Sequence, residues 1–143
     1  MARQRYLAAV VLALAGCSIP EERQQIRIMD DVERTIRLPP GSLRLNDYSR
    51  YYAEQSSGKV AVLYVVHSAS HIKYMQDLCS REPTNTFPCS ENGRLRLVPP
   101  GGRLWLADSR DLPSMDGGGC GNLQFTYDPA SKALPTPRCN GPY

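Results

Sequence analysis

The chain has 143 residues, 41% of them hydrophobic and 22% charged, with 12 Pro, 11 Gly and 5 Cys. That is the length of a single domain, and its apolar fraction is too high for a disordered chain. The net charge of +3 gives too little basic excess for a grip on nucleic acid.

Met1-Ala2-Arg3-Gln4-Arg5 is a short basic start, followed by an apolar run from Tyr6 to Ala15. Such a run cannot cross a hydrocarbon core of ~30 Å, which takes about 20 residues, so it reads as the apolar stretch of a secretory signal. Leu14-Ala15-Gly16-Cys17 then resembles the lipobox of bacterial lipoproteins: a branched apolar residue, two small residues and a cysteine. The resemblance implies that diacylglycerol is attached to the Cys17 thiol, that residues 1–16 are cut away, and that the new amino group receives a fatty acid such as palmitate. Two or more acyl chains anchor a protein stably without a spanning helix. Ser18 stands where inner-membrane lipoproteins of two-membrane bacteria carry Asp, so the resemblance favours the outer membrane, with the protein facing the periplasm. Loss of Arg3 and Arg5 leaves 15 basic against 14 acidic groups.

Residues 17–42 read as a lipidated N-terminus with a helix or tether. Ser18 suits an N-cap, with Pro20 early and Glu21 and Glu22 in the first turn. Ile26, Met29, Val32 and Ile36 recur on one helix face, and Arg23, Arg27, Asp30, Glu33 and Arg34 fall on the other. Pro39-Pro40-Gly41 ends the segment.

Residues 43–143 read as a small α+β domain, mostly antiparallel sheet and stapled by disulfides. Leu43–Tyr52, with Tyr48, Tyr51 and Tyr52, reads as a turn or short helix. Val60–Val66 is continuously apolar and rich in β-branched residues, the mark of a central strand. Pro99-Pro100-Gly101-Gly102 is a turn signal. A hairpin on it places Leu97 opposite Leu104, Leu95 opposite Leu106 and Arg96 opposite Trp105. Four leucines then share one face, and Arg94, Arg96, Arg103 and Trp105 share the other. Leu123–Tyr127 alternates apolar and polar residues as a strand does.

With Cys17 reserved for lipid, four cysteines remain for an oxidising compartment, and four allow three pairings. A hairpin turning at Asp128-Pro129-Ala130-Ser131 places Cys120 directly opposite Cys139, which favours that pair and leaves Cys79–Cys89. Pro135 and Pro137 then fit an edge strand over Leu134–Asn140. Over the last third, Asp116-Gly117-Gly118-Gly119-Cys120, the strand to Tyr127-Asp128 and Cys139-Asn140-Gly141 resemble a pattern in short proteobacterial proteins to which no activity is attached. That likeness implies a shared fold at most.

No catalytic or metal motif stands out. His67 and His71 are four apart and Cys79 and Cys89 follow, but HExxH and CxxC are missing, so no metal or cofactor is expected. Ser68 and Ser70 beside the histidines lack a nucleophile elbow, and Asp108 and Asp111 flank Arg110 at a turn. Arg94, Arg96, Arg103 and Trp105 form the best candidate binding surface, since Arg and Trp are enriched at binding hot spots. The expected role is a non-enzymatic, lipid-anchored envelope module that binds or supports a protein partner. The alternatives are a periplasmic inhibitor of a hydrolytic enzyme and a hydrolase using His67 or His71.

Overall fold

The computed structural model describes residues 20–113 and 117–141. Cys17, Ser18 and the lipobox lie outside the described residues.

Helix α1 (Pro20–Thr35) opens with Pro20, Glu21 and Glu22 and closes with Arg34, an order that suits the helix dipole at both ends. Met29 and Val32 are buried and Ile36 is partly buried just past its end, as the stripe predicts. Ile26 is 40% exposed, so the stripe reaches the core only in its C-terminal half. Glu33, expected on the solvent face, points inward to Arg50 and Tyr52.

Leu43–Tyr52, read as a turn or short helix, holds a short 3-10 turn only in its first half and is a strand from Ser49 onward. A single 3-10 turn at Leu45–Asp47 leads into β1 (Ser49–Glu54), which pairs antiparallel with β2 (Val60–Val65). β2 is the middle strand, which accounts for its continuous apolar sequence. Helix α2 (Ala69–Arg81) follows, its first turn capped by the Ser68 hydroxyl, which accepts from the His71 amide. Then come β3 (Arg103–Leu106), β4 (Asn122–Tyr127) and the two-residue β5 (Arg138–Cys139). The sheet runs in the order β3-β1-β2-β4-β5, with only the β1–β3 pair parallel. The protein is therefore a small α+β domain with an N-terminal helix, a mostly antiparallel five-stranded sheet and two disulfides.

The two faces of the sheet carry separate cores. Under α1 lie Met29, Val32, Tyr48, Tyr52, Val62, Tyr64, Leu123 and Phe125, with Trp105 packed against them. The helix therefore shares its core with the domain that follows it. On the opposite face lie Tyr51, Ala53, Leu63, Val65, Phe87 and Leu106, flanked by Leu97, Val98 and Leu104.

The hairpin expected around Pro99–Gly102 does not form. The turn itself is there: the Gly102 amide donates to the Pro99 carbonyl at 2.8 Å and Gly101 takes a φ of 80°. Its second arm, however, pairs parallel with β1, matching Arg50 with Arg103 and Tyr52 with Trp105. The first arm is displaced onto the sheet face because β1 side chains satisfy its backbone. Ser49 Oγ donates to the Val98 carbonyl at 2.8 Å, and the Val98 amide donates to the Tyr51 hydroxyl at 3.2 Å. Leu97, Leu104 and Leu106 still share one core, because alternation along each arm does not depend on which strand they pair with.

Both expected disulfides are present, Cys79–Cys89 and Cys120–Cys139, the latter with Cα atoms 4.3 Å apart. The register that suggested the second is not. Leu123, not Cys120, faces Cys139, and Cys120 sits in a 3-10 turn (Gly119–Gly121) before β4. Two slips cause the shift. Lys132 adopts φ 57° and lengthens the turn, so that Asp128 bridges Ala133. One more residue is then absorbed beside Pro135 and Pro137, which cannot donate to a ladder. The expected edge strand over Leu134–Asn140 shrinks accordingly to β5.

Candidate functional site

β3 is an edge strand, and its backbone decides what that edge can do. The Arg50 amide donates to the Gly102 carbonyl at 3.1 Å, which turns Gly102, Leu104 and Leu106 toward β1. Alternation then points the amides and carbonyls of Arg103 and Trp105 away from the sheet. Among the described residues no backbone hydrogen bond reaches them. Beside this edge runs a groove of about 460 Å³, lined by Phe87, Arg96, Val98, Leu104, Trp105, Leu106 and Asp111. It offers apolar side chains beside an open main-chain edge.

The four residues expected to form one basic aromatic surface divide between the two sheet faces. Trp105 stacks on Tyr52 with ring centroids 6.5 Å apart and planes 5° from parallel. Arg103 Nη1 bonds Asp30 at 2.6 Å and lies 3.6 Å from Glu33, so this pair belongs to the α1 side. Arg96 lies 5.8 Å over the Phe87 ring on the other side, and Arg94 is exposed on the same displaced arm. The division follows from the failed hairpin. Of the four, Arg96 and Trp105 both line the groove at the β3 edge.

Behind β3 lies a buried polar network. Arg50, 5% exposed, contacts Glu33 at 3.0 Å. The Tyr52 hydroxyl donates to Glu33 Oε1 at 2.9 Å and lies 3.1 Å from the Tyr64 hydroxyl. Burial, before any charge effect, pushes both phenols well above their ordinary range, so they act as neutral hydrogen-bonding groups. The arrangement ties α1 to β1 and β3 and fixes the face that Arg103 and Trp105 present.

His67 and His71 come together, as their spacing suggested, with rings stacked 5.7 Å apart. His67 Nε2 lies 3.0 Å from the Tyr51 hydroxyl. The same hydroxyl accepts from the Val98 amide, and the direction of its bond to His67 follows the imidazole tautomer. Burial first, and His71 second, hold the imidazole down to about 4. Its neighbour is thus a phenol that burial pushes up to about 12, not a serine or a carboxylate. Ser68 and Ser70 are 3.1 Å apart at the start of α2, and Ser68 caps the helix. Asp108 grips Arg110 in an exposed pair that draws its carboxyl down to about 2. Among the described residues no group of three His, Cys, Asp or Glu side chains could hold a metal ion.

A second concavity, about 430 Å³, lies over Ala61, Leu63 and Gln124 and is lined by no charged side chain. No protein-family model matches the chain, and neither a curated protein nor a solved structure is similar to it. The β3 edge itself escaped sequence reading, because a parallel pairing with β1 over some fifty residues leaves no local mark. Helix α2 was also missed, although Ser68 and the Ile72, Met75, Cys79 spacing signal it.

Proposed function

We propose that the chain is a lipid-anchored cell-envelope protein whose domain faces the periplasm and holds a protein partner at the free edge of β3. The role is non-enzymatic: the domain binds or supports rather than turns over. The observation that carries it is the pair of outward-facing backbone units at Arg103 and Trp105, set beside a groove that combines apolar side chains with Arg96 and Asp111. An open strand edge with pockets for alternate side chains is the apparatus of strand addition, in which main-chain bonds supply affinity and the groove supplies selectivity. Leu14-Ala15-Gly16-Cys17 after a basic, apolar leader supports the anchor, and Ser18 in place of Asp supports an outer-membrane location.

A photo-crosslinking residue at Asp111, in the groove wall, tests the binding edge in intact cells, with Gln124 on β4 as control. Protein adducts at position 111 and none at 124 are expected; equal labelling at both would contradict the reading. Cys17→Ser tests the anchor separately. It should abolish lipid labelling and release or stall the protein, and membrane-bound, lipid-bearing variant would refute the anchor.

A further inference from the structure

We infer that the partner at this edge is a second copy of the chain, joined β3 to β3 in antiparallel register about a two-fold axis at Leu104. The inference rests on the reading of β3 as the binding edge and goes further by naming its occupant.

The argument lies in the strand's own sequence, Arg103-Leu104-Trp105-Leu106. An antiparallel partner bonds through the outward residues, which here are Arg103 and Trp105. Pairing Arg103 with Trp105 of the second copy, and Trp105 with its Arg103, lets both residues on each chain exchange both of their main-chain bonds. That register sets a guanidinium against an indole twice on the α1 face, a cation–π contact within cross-strand reach. On the other face it sets Leu104 against Leu104 at the axis. Leu106 falls opposite Gly102, where there is no side chain to obstruct it.

Two further observations favour self-pairing. Asp30 and Glu33 already hold Arg103 Nη1, so little side-chain order is lost when an indole stacks beside it. Of the devices that blunt an exposed edge, Lys, Pro and a bulge are missing between Arg103 and Leu106; the strand is four residues long, and its one charge, Arg103, is drawn to the α1 face by Asp30. A two-fold contact of this kind is isologous and closes at two chains. The far edge, β5, has two paired residues beside Pro135 and Pro137 and offers little for further growth.

Sedimentation of the purified full chain in detergent tests the inference, with Leu104→Lys as the disrupting variant and Gln124→Lys as the control. Two lysines facing each other at the axis repel, and lysine is itself an edge protector. The wild type and Gln124→Lys should sediment as two chains, and Leu104→Lys as one with both disulfides still mapped. A second variant, Leu104→Cys, should form a 104–104 crosslink between chains, since directly opposed Cα atoms at ~4.5 Å suit a disulfide. A wild type that stays a single chain at high concentration, or a two-chain species that Leu104→Lys leaves intact, overturns the proposal. If the Arg103 and Trp105 amides of a one-chain species become protected only when envelope extract is added, the second copy falls and the binding edge stands. If no condition protects them, both fall.

Discussion

The Arg50 guanidinium lies 3.0 Å from the Glu33 carboxylate, joining β1 to α1 with side chains that retain 6% and 18% of their exposure. The Gly101 carbonyl also accepts from Arg50, so one side chain links helix, strand and turn. A buried ion pair is weak evidence of net stabilisation, yet breaking one strands the surviving charge.

Arg50→Met should therefore cost about 1–3 kcal/mol in chemical denaturation, since Glu33 then keeps as its cation only Arg103 Nη1, 3.6 Å away, and the Gly101 carbonyl loses its donor. Adding Glu33→Leu should recover much of that loss. A change below about 1 kcal/mol for Arg50→Met, typical of an exposed pair, would show that the network is solvated.

His67 gives a pH prediction whose sign follows from its depressed folded-state value. Below the ordinary 6.5 the unfolded chain takes up a proton that folded His67 refuses until about 4. Stability is thus fully present above about 6.5 and falls as pH drops toward about 4. His67→Gln should flatten the melting temperature across that window. An unchanged slope would mean that His67 is solvated and not held by Tyr51.

What could be read from the sequence depended on whether local pattern or distant pairing decided each element. β2 was legible because seven apolar residues in a row, Val60–Val66, suit a strand buried on both faces. The inner half of α1 was legible from its stripe, but Glu33 was not, because its partner Arg50 belongs to another element. Cys120–Cys139 was anticipated from a register that the longer turn at Lys132 and the prolines then shifted. The disulfide forms because a 3-10 turn returns Cys120 toward Cys139. The candidate site was little legible: Arg96 and Trp105 do not face each other, and both line a groove at an edge created by the β1–β3 pairing that local alternation could not reveal.

Helix α2 offers a test of local stability. Cys79 is its one buried residue, and Ile72 and Tyr74 remain 38% and 59% exposed. Replacing Cys79 and Cys89 with Ala should remove about 2–4 kcal/mol of stabilisation, concentrated in residues 69–93. Amide exchange should show α2 opening while β1, β2 and β4 stay protected. Uniform loss across the sheet would contradict this division.

Tyr51→Phe deletes the hydroxyl that accepts from Val98 and reaches His67. The orphaned Val98 amide should cost about 1–3 kcal/mol and exchange faster, loosening the groove wall formed by residues 94–98. An unchanged Val98 exchange rate would mean that this arm is held by Ser49 and packing alone.

The most direct test of the binding edge is residue-resolved amide exchange across β3 in dilute, single-chain protein. An open outer edge predicts alternation: Leu104 and Leu106, bonded to β1, exchange slowly, whereas Arg103 and Trp105 exchange fast until the edge is occupied. Slow exchange at all four residues in the isolated chain would mean that another segment already covers the edge, and would contradict the account.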